Sequence, residues 1–225
     1  MASHASTPKA PKPVLDREVF IDAALRLASR SRTLTLSFRD LGRELGVDPT
    51  AIYRHFQNKE MLMSELFDRI LAKTFERTTT APSHWEECLI QFAENTLDVF
   101  LEYPAIGVMA TSITTSGPGE MDCIELMLEC FSEAGLSGQD LAEQYAIFGS
   151  YSLSGAAGLA RDQAESIDAS APEWFLGQLP ADPARHPLAA NLRNDIMVLN
   201  HRDMFLSGLK QILQAAKQKA ELQKI

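Results

Sequence analysis

The chain has 225 residues, 45% of them hydrophobic, which is enough for one small and one medium-sized domain with apolar cores. Its net charge of −9 is unevenly divided: residues 1–60 carry ten Lys/Arg and seven Asp/Glu, whereas residues 61–225 carry eleven and twenty-three. Three cysteines without a disulfide framework, and uncharged runs too short to span a membrane, exclude a disulfide-rich secreted protein and a membrane protein.

The amino-terminal part begins with a polar tail. Residues 1–14 contain three prolines and two lysines, and we predict that they are disordered. They lack the apolar core of a signal peptide, so we expect a cytoplasmic protein. A helix is predicted over residues 16–30, where Phe20, Ala24 and Leu27 repeat at helical spacing.

The stretch LTLSFRDLGRELGVDPTAIYRHFQNKE, residues 34–60, predicts a helix-turn-helix. Ser37 can cap a first helix, and Gly46 suits the left-handed residue that would end it. Asp48 can cap a second helix, and Asn58 a third. Three capped helix starts within such a short stretch are a strong local signal.

The second of these helices, predicted over residues 49–57, has two unlike faces. Ile52 and Phe56 lie four positions apart on an apolar face. The opposite face carries a hydroxyl, a phenol, a guanidinium and an amide, from Thr50, Tyr53, Arg54 and Gln57. These groups can hydrogen-bond to base edges and phosphate oxygens, so the pattern predicts a helix that reads DNA.

The LGV turn, the IYRHF segment and the NKE that follows resemble the DNA-binding domain of the TetR family of transcription regulators, over residues 17–66. The resemblance implies major-groove and phosphate contacts from this stretch. With Gln57 added from the helical pattern, the candidate DNA-binding residues are Ser37, Arg39, Pro49, Thr50, Tyr53, Arg54, His55, Gln57 and Lys59. His55 borders the apolar face, and it can equally be a packed histidine.

The remainder of the chain is helical in pattern throughout, so we predict an all-α fold. We expect a tail at 1–14, a helix-turn-helix DNA-binding domain at 15–60, a connector helix at 61–77 and a regulatory domain at 78–225. In the regulatory domain, helices are predicted over residues 83–103, 120–134, 138–163 and 201–220. The proline-rich residues 165–187, around PEWFLG, predict a surface flap.

The segments HPLAANLRND and DMFLSGLKQIL resemble the C-terminal regulatory domain of the tetracycline-repressor branch of the same family. This implies that a small-molecule effector binds between the helices and relieves repression. Each aromatic or methionine side chain there can be core or pocket, and the candidate pocket residues are Trp85, Phe92, Phe100, Met109, Met127, Phe131, Tyr145, Phe148 and Trp174. Residues 78–160 contain twelve Asp/Glu and no Lys or Arg, so we expect a neutral or cationic, largely apolar effector.

Small residues in the sequence GSYSLSGAAGLA would let a second helix approach closely. We therefore expect the helix at 138–163 and the final helix to form a homodimer interface of four helices. The candidate interface residues are Gly149, Ser152, Gly155, Ala156, Phe205, Leu209 and Ile212. Such a dimer would place two reading helices about 34–36 Å apart, to match a palindromic double-stranded DNA operator.

Enzyme chemistry is not indicated. The sequence has no nucleophile elbow, phosphate-binding glycine loop or cluster of cysteines and histidines with metal spacing. His84 and Cys88 lie four positions apart, but a stable metal site needs three or four ligands. We expect no catalytic residue, metal or cofactor, and the alternative function is a helical small-molecule-binding protein without a DNA role.

Overall fold

A computed structural model describes residues 16–30, 35–165 and 179–223, apart from the side chain of Glu165. The described residues form helices and connecting turns, with no strand among them, and the all-α prediction is confirmed. The predicted tail at 1–14, Trp174 and most of the predicted flap lie outside the described residues.

The first three helices follow the predicted caps. Helix α1 spans Arg17–Arg30 and α2 spans Phe38–Leu45. Ser37 caps α2 by accepting the Asp40 N–H at 3.1 Å, and Gly46, with φ of 64°, ends it in the left-handed conformation that favours glycine.

The predicted helix at 49–57 differs from the structure, which has a short 3-10 helix over Pro49–Arg54. Asp48 caps this 3-10 helix through the Thr50 N–H at 2.8 Å. At its other end the N–H groups of His55 and Phe56 both bond to the carbonyl of Ile52. The helix cannot extend further, because Asn58 must adopt an extended backbone to cap the next helix.

Helix α3, Lys59–Arg77, connects the two halves of the molecule. Asn58 caps it through the Met61 N–H at 2.8 Å. Its side chains Leu62, Leu66 and Ile70 are buried, since the helix packs against α1 on one side and against the following helices on the other.

In the described part of the chain after α3, seven further α-helices follow: α4, Trp85–Glu102; α5, Pro104–Gly107; α6, Pro118–Glu133; α7, Gly138–Glu165; α8, Pro187–Asn191; α9, Arg193–Met197; and α10, His201–Leu222. A 3-10 turn, Val108–Thr111, follows α5. Helix α3 packs against α4 and α6, and α7 packs between α4 and α10. None of the described helices is long and apolar enough to cross a membrane.

Aromatic rings fill the centre of this bundle. Phe131 of α6 meets Phe148 of α7 edge to face, with ring centroids 5.8 Å apart. Phe148 also lies 6.5 Å from Phe92 of α4, and Phe131 lies 6.4 Å from Trp85. These rings join α4, α6 and α7 into one apolar core.

Candidate functional site

The 3-10 helix presents a polar face to solvent. Ile52 and Phe56 are fully buried on its inner side, as the helical pattern predicts. Its outer side and the neighbouring helix starts carry the exposed residues Arg39, Thr50, Tyr53, Arg54, Gln57 and Lys59, and Pro49 beside them is half-buried. Arg39, Arg54 and Lys59 make no ion pair with any residue that the structure describes.

Tyr53 is 58% exposed but not loose, because its ring meets Phe38 edge-on with centroids 5.0 Å apart. Phe38 begins α2, so this contact fixes the tyrosine between the two helices. Sequence analysis did not include Phe38 among the site residues. Its place at the start of α2 was visible in the sequence, but its contact across the turn was not.

Two of the predicted site residues, Thr50 and Ser37, donate a hydroxyl hydrogen bond to a carboxylate of the same chain. The Thr50 hydroxyl donates to the Asp48 carboxylate at 2.6 Å, and this bond and the Thr50 N–H lower the pKa of Asp48. The Ser37 hydroxyl donates to the Asp40 carboxylate. Both hydroxyls thus bond at helix starts; the Ser37 oxygen, which also accepts the Asp40 N–H, keeps one lone pair for a further donor, and the Thr50 oxygen keeps two.

His55 is placed apart from the exposed group. Its ring lies 5.0 Å from the Phe20 ring of α1, and it is half-buried. Its backbone carbonyl accepts a hydrogen bond from Arg17 at 3.0 Å. The structure thus puts its side chain in the packing between α1 and the 3-10 helix.

Arg17 joins three elements, and sequence analysis gave no signal for it. Its guanidinium pairs with Glu65 of α3 and lies over the Phe56 ring, 4.7 Å from the centroid. The hydrogen bond to Glu65 raises the pKa of Arg17. A second pair, between Arg69 and Glu18 at 2.6 Å, also ties α1 to α3.

The predicted pocket residues are mostly packed core. Phe92, Phe100, Phe131 and Phe148 are each at most 3% exposed, and Met127 is also buried. Trp85 and Tyr145 are half-buried against the same core. These side chains contact one another and fill the space between the helices, so as placed they form a core rather than the lining of an open pocket.

A large open groove lies elsewhere, between α3 and residues 109–122. Its volume is about 1390 Å³. Met109 is the one predicted pocket residue on its walls within the described chain. The other lining residues come from α1, from α3 and its cap, and from the turn before α6 and the start of α6: Arg17, Asn58, Lys59, Glu60, Met61, Met63, Ser64, Glu65, Asp68, Arg69, Ala72, Ser112, Ile113, Thr114, Thr115, Gly117, Pro118, Gly119 and Asp122.

Asp68 holds the two walls of the groove together. This α3 carboxylate, in a residue only 8% exposed, accepts the N–H of Gly119 at 3.2 Å and the N–H of Glu120 at 2.9 Å. The Thr115 hydroxyl donates to it at 2.9 Å. Asp68 therefore caps α6 from another helix, and a Cβ at Gly117 or Gly119 would overlap its atoms.

The predicted dimer-interface residues mostly pack within the one chain, and their part in a dimer stays a prediction. Phe205 and Leu209 of α10 and Ser152 and Ala156 of α7 are buried within the one chain, and Gly149 faces Met127 and Tyr145. At Gly155, a Cβ would meet the Phe205 ring at 2.6 Å. The small residues thus let α7 and α10 of the same chain approach, and only Ile212 keeps partial exposure among the apolar candidates.

Metal-binding groups are dispersed. Over residues 16–30, 35–165 and 179–223, no three His, Cys, Asp or Glu side chains are grouped so as to hold a metal ion. The three cysteines are buried and form no disulfide, and the Cys123 thiol donates to the Leu71 carbonyl at 3.3 Å.

Comparison with known proteins gives two family matches. Residues 20–66 match the description "Bacterial regulatory proteins, tetR family", and residues 79–219 match "Tetracyclin repressor-like, C-terminal domain". The first match ends within α3, the helix that joins the 3-10 helix region to the rest of the bundle, and the second begins just after this helix.

Individual proteins show the same similarity. The HTH-type transcriptional repressor DrrR1 of Streptomyces coeruleorubidus is 26% identical over 216 residues, covering 91% of this chain and 78% of that protein. The tetracycline repressor protein class A from transposon 1721 of Escherichia coli is 29% identical over 170 residues, covering 75% and 77%. The crystal structure of Streptomyces coelicolor ActR in complex with actinorhodin has a TM-score of 0.76 at 20% identity, covering 92% of this chain and 99% of that one.

Proposed function

This chain belongs to the tetR family of bacterial regulatory proteins, and from that premise we propose that it represses transcription until a small molecule releases it from its operator. It is a DNA-binding regulator and not an enzyme. The proposal also names the residues that contact DNA, the class of effector, and a dimer that carries two copies of the DNA-binding domain at 15–60, here called the reading head.

The observation that carries the proposal is the surface around the 3-10 helix. Three cations that make no ion pair with a described residue, Arg39, Arg54 and Lys59, are exposed, as is the Tyr53 ring. Unpaired guanidinium and ammonium groups suit phosphates and guanine edges, and a tyrosine held in place loses little entropy on binding. We assign base contacts to Thr50, Tyr53, Arg54 and Gln57, and phosphate contacts to Ser37, Arg39 and Lys59.

The acidic charge of the remaining residues supports the assignment of the DNA contacts to the amino-terminal part of the chain. Residues 61–225 carry twenty-three Asp/Glu and eleven Lys/Arg, so they repel phosphates and limit adhesion to DNA elsewhere on the surface. A single reading head buries little DNA surface, and we propose that a two-fold dimer binds a palindromic operator.

The dimer would use the outward faces of α7 and α10. Ile147 is 44% exposed, and Tyr151 and Ser154 lie further along the same face of α7. The Tyr151 ring stacks on Phe205 of α10, with centroids 5.9 Å apart and an angle of 6°. This makes the two helices one surface, which a second copy could cover with an isologous contact.

The effector we propose is a neutral or cationic, largely apolar small molecule. ActR, a protein of the same fold, has been solved with actinorhodin, which supports a small-molecule effector for a chain of this family. Residues 78–160 contain no Lys or Arg, and a buried anion would lack a cationic partner from that span.

A mobility-shift assay on duplexes from the DNA upstream of the protein's own gene tests the proposal. We expect a discrete complex that a scrambled duplex of equal length does not form, and that grows weaker with salt. A protein that is folded and dimeric but binds both duplexes equally, or neither, would favour the small-molecule-binding alternative without a DNA role.

A further inference from the structure

The groove between α3 and residues 109–122 spans the boundary between the reading head and the regulatory helices. Its walls include Arg17 of α1 and the start of α3 on one side, and the turn before α6 on the other. The α3 residues that line it run from Lys59 to Ala72, about four helical turns. At about 1390 Å³ it has room for a ligand larger than a simple metabolite.

The apolar part of the lining is flexible in shape. Met61, Met63 and Met109 bring three thioether side chains to the walls, and Ile113 and Pro118 add rigid apolar surface. Methionine has no branch and several rotatable bonds, so it adapts to irregular aromatic or aliphatic bodies. This composition favours an amphiphile over a small polar metabolite.

The charges on the walls select against anions. Arg17 is already paired with Glu65, and Arg69 with Glu18 at 2.6 Å. Lys59 is the remaining lining cation, whereas Glu60 and Asp122 are exposed carboxylates that make no ion pair within the described chain. The walls thus carry more unpaired negative than positive charge, so they repel an anionic ligand and attract a cationic one.

We propose that this groove, and not the aromatic core between α4, α6 and α7, binds a cationic amphiphile that controls the protein. The inference rests on the proposed release of DNA by a small molecule, and it assigns that molecule a site and a charge. The aromatic rings of the core pack against one another, whereas the groove is open in the same structure. A ligand in the groove would contact both walls and so change the position of α3 relative to α6.

Three probes of similar shape and different charge test the assignment on the full chain by calorimetric titration without DNA. We expect tetraphenylphosphonium to bind more tightly than neutral triphenylphosphine oxide, and tetraphenylborate to bind most weakly. Asp122→Asn should reduce the preference for phosphonium over oxide about three- to fivefold, since the carboxylate is exposed and partly screened. Glu125→Gln is the matched control, because it removes an exposed carboxylate from the same helix outside the groove, and it should leave the preference unchanged.

Filling the groove tests its location. Ser64→Trp places an indole on the α3 wall and should weaken phosphonium binding about tenfold or more. Ser112→Trp fills it from the opposite wall at an exposed position, which guards against a folding defect at Ser64. Met127→Leu, in the aromatic core, should bind the probe as the unmodified chain does.

The outcomes separate the two proposals. Any of three results would overturn the groove site: a phosphonium affinity that neither tryptophan variant changes, a preference for tetraphenylborate, or no binding of any probe. If the groove variants lose phosphonium binding as expected but the unmodified chain binds no operator, the groove site stands and the proposed regulation fails.

Discussion

The carboxylate of Asp68 accepts the backbone N–H of Glu120 at 2.9 Å, across 52 positions of sequence. Through this bond and its neighbours, helix α3 supplies the cap that the amino terminus of α6 lacks among its own residues. The position of α3 and the start of α6 are thereby coupled.

Replacing Asp68 with Asn should destabilise the protein by about 1–3 kcal/mol, because two buried N–H groups and the Thr115 hydroxyl lose a charged acceptor. Urea unfolding at fixed protein concentration measures the change. Asp122→Asn, an exposed carboxylate on α6, should change the free energy of unfolding by less than about 0.5 kcal/mol. Equal effects of the two variants would show that Asp68 does not act as the cap.

Gly119→Ala should destabilise the protein by about 1–3 kcal/mol. The added Cβ would overlap the Asp68 carbonyl oxygen and lie 2.9 Å from the Ala72 nitrogen. Both are backbone atoms of α3, so they cannot move aside unless the helix moves. Gly149→Ala is the matched control in α7. There the nearest atoms to a Cβ are 4.0 Å away, so helix propensity should dominate and stabilise by up to about 1 kcal/mol. Thermal unfolding followed by circular dichroism compares them, and a stable Gly119→Ala protein would rule out the close packing of α6 on α3.

Arg54→Ala should weaken operator binding by about 1–3 kcal/mol while affecting a scrambled duplex little, because a base-edge contact carries sequence information. Fluorescence anisotropy with both duplexes measures the difference. Lys210→Ala removes an exposed cation from α10 and serves as the control, with little effect on either duplex. Equal weakening of both duplexes by Arg54→Ala would reassign this residue to phosphate contact.

Lys59→Ala should instead weaken both duplexes and reduce the slope of log affinity against log salt by about one, as expected for one lost phosphate contact. The same anisotropy measurements over a salt series give the slope. An unchanged slope would remove Lys59 from the interface with DNA.

Ile147→Arg should convert the proposed dimer to a folded monomer, because it places an unpaired charge on the outward face of α7 without disturbing a buried side chain. Met121→Arg is the control, since Met121 of α6 is exposed to a similar degree, 51%. Sedimentation velocity measures whether each variant is a monomer or a dimer. Intact dimers with both variants would move the interface away from this face.

The helix starts were predictable because their chemistry is local. Ser37, Asp48 and Asn58 each cap a helix through an N–H two or three residues away, so the sequence contains both partners side by side. The 3-10 form of the Pro49–Arg54 helix was less predictable from the sequence. It depends on the extended backbone that Asn58 adopts to cap α3, which limits the length of the preceding helix.

The cap supplied by Asp68 was not predictable from the sequence, because its partners lie 47 to 52 positions away and the stretch TTSGPGE resembles an ordinary loop. The aromatic residues were ambiguous for a different reason. Phe131 and Phe148 have the same helical spacing whether they line a cavity or fill it, and only their contact decides. The dimer candidates were ambiguous in the same way, since small residues permit close approach without identifying which helix approaches.

The Arg17 contacts give α3 the properties of a lever arm. Because Arg17 contacts Glu65, the His55 carbonyl and the Phe56 ring together, we expect α1 and the 3-10 helix to move with α3 as one body. The 19 residues of α3 make an arm roughly 28 Å long. A tilt of about 5° at one end then carries the other end through about 2.4 Å, more than a hydrogen bond to a base edge tolerates. In a two-fold dimer the two reading heads would be displaced in opposite directions. Their separation would then no longer match the spacing of the two operator half-sites, although neither reading head had changed its own shape.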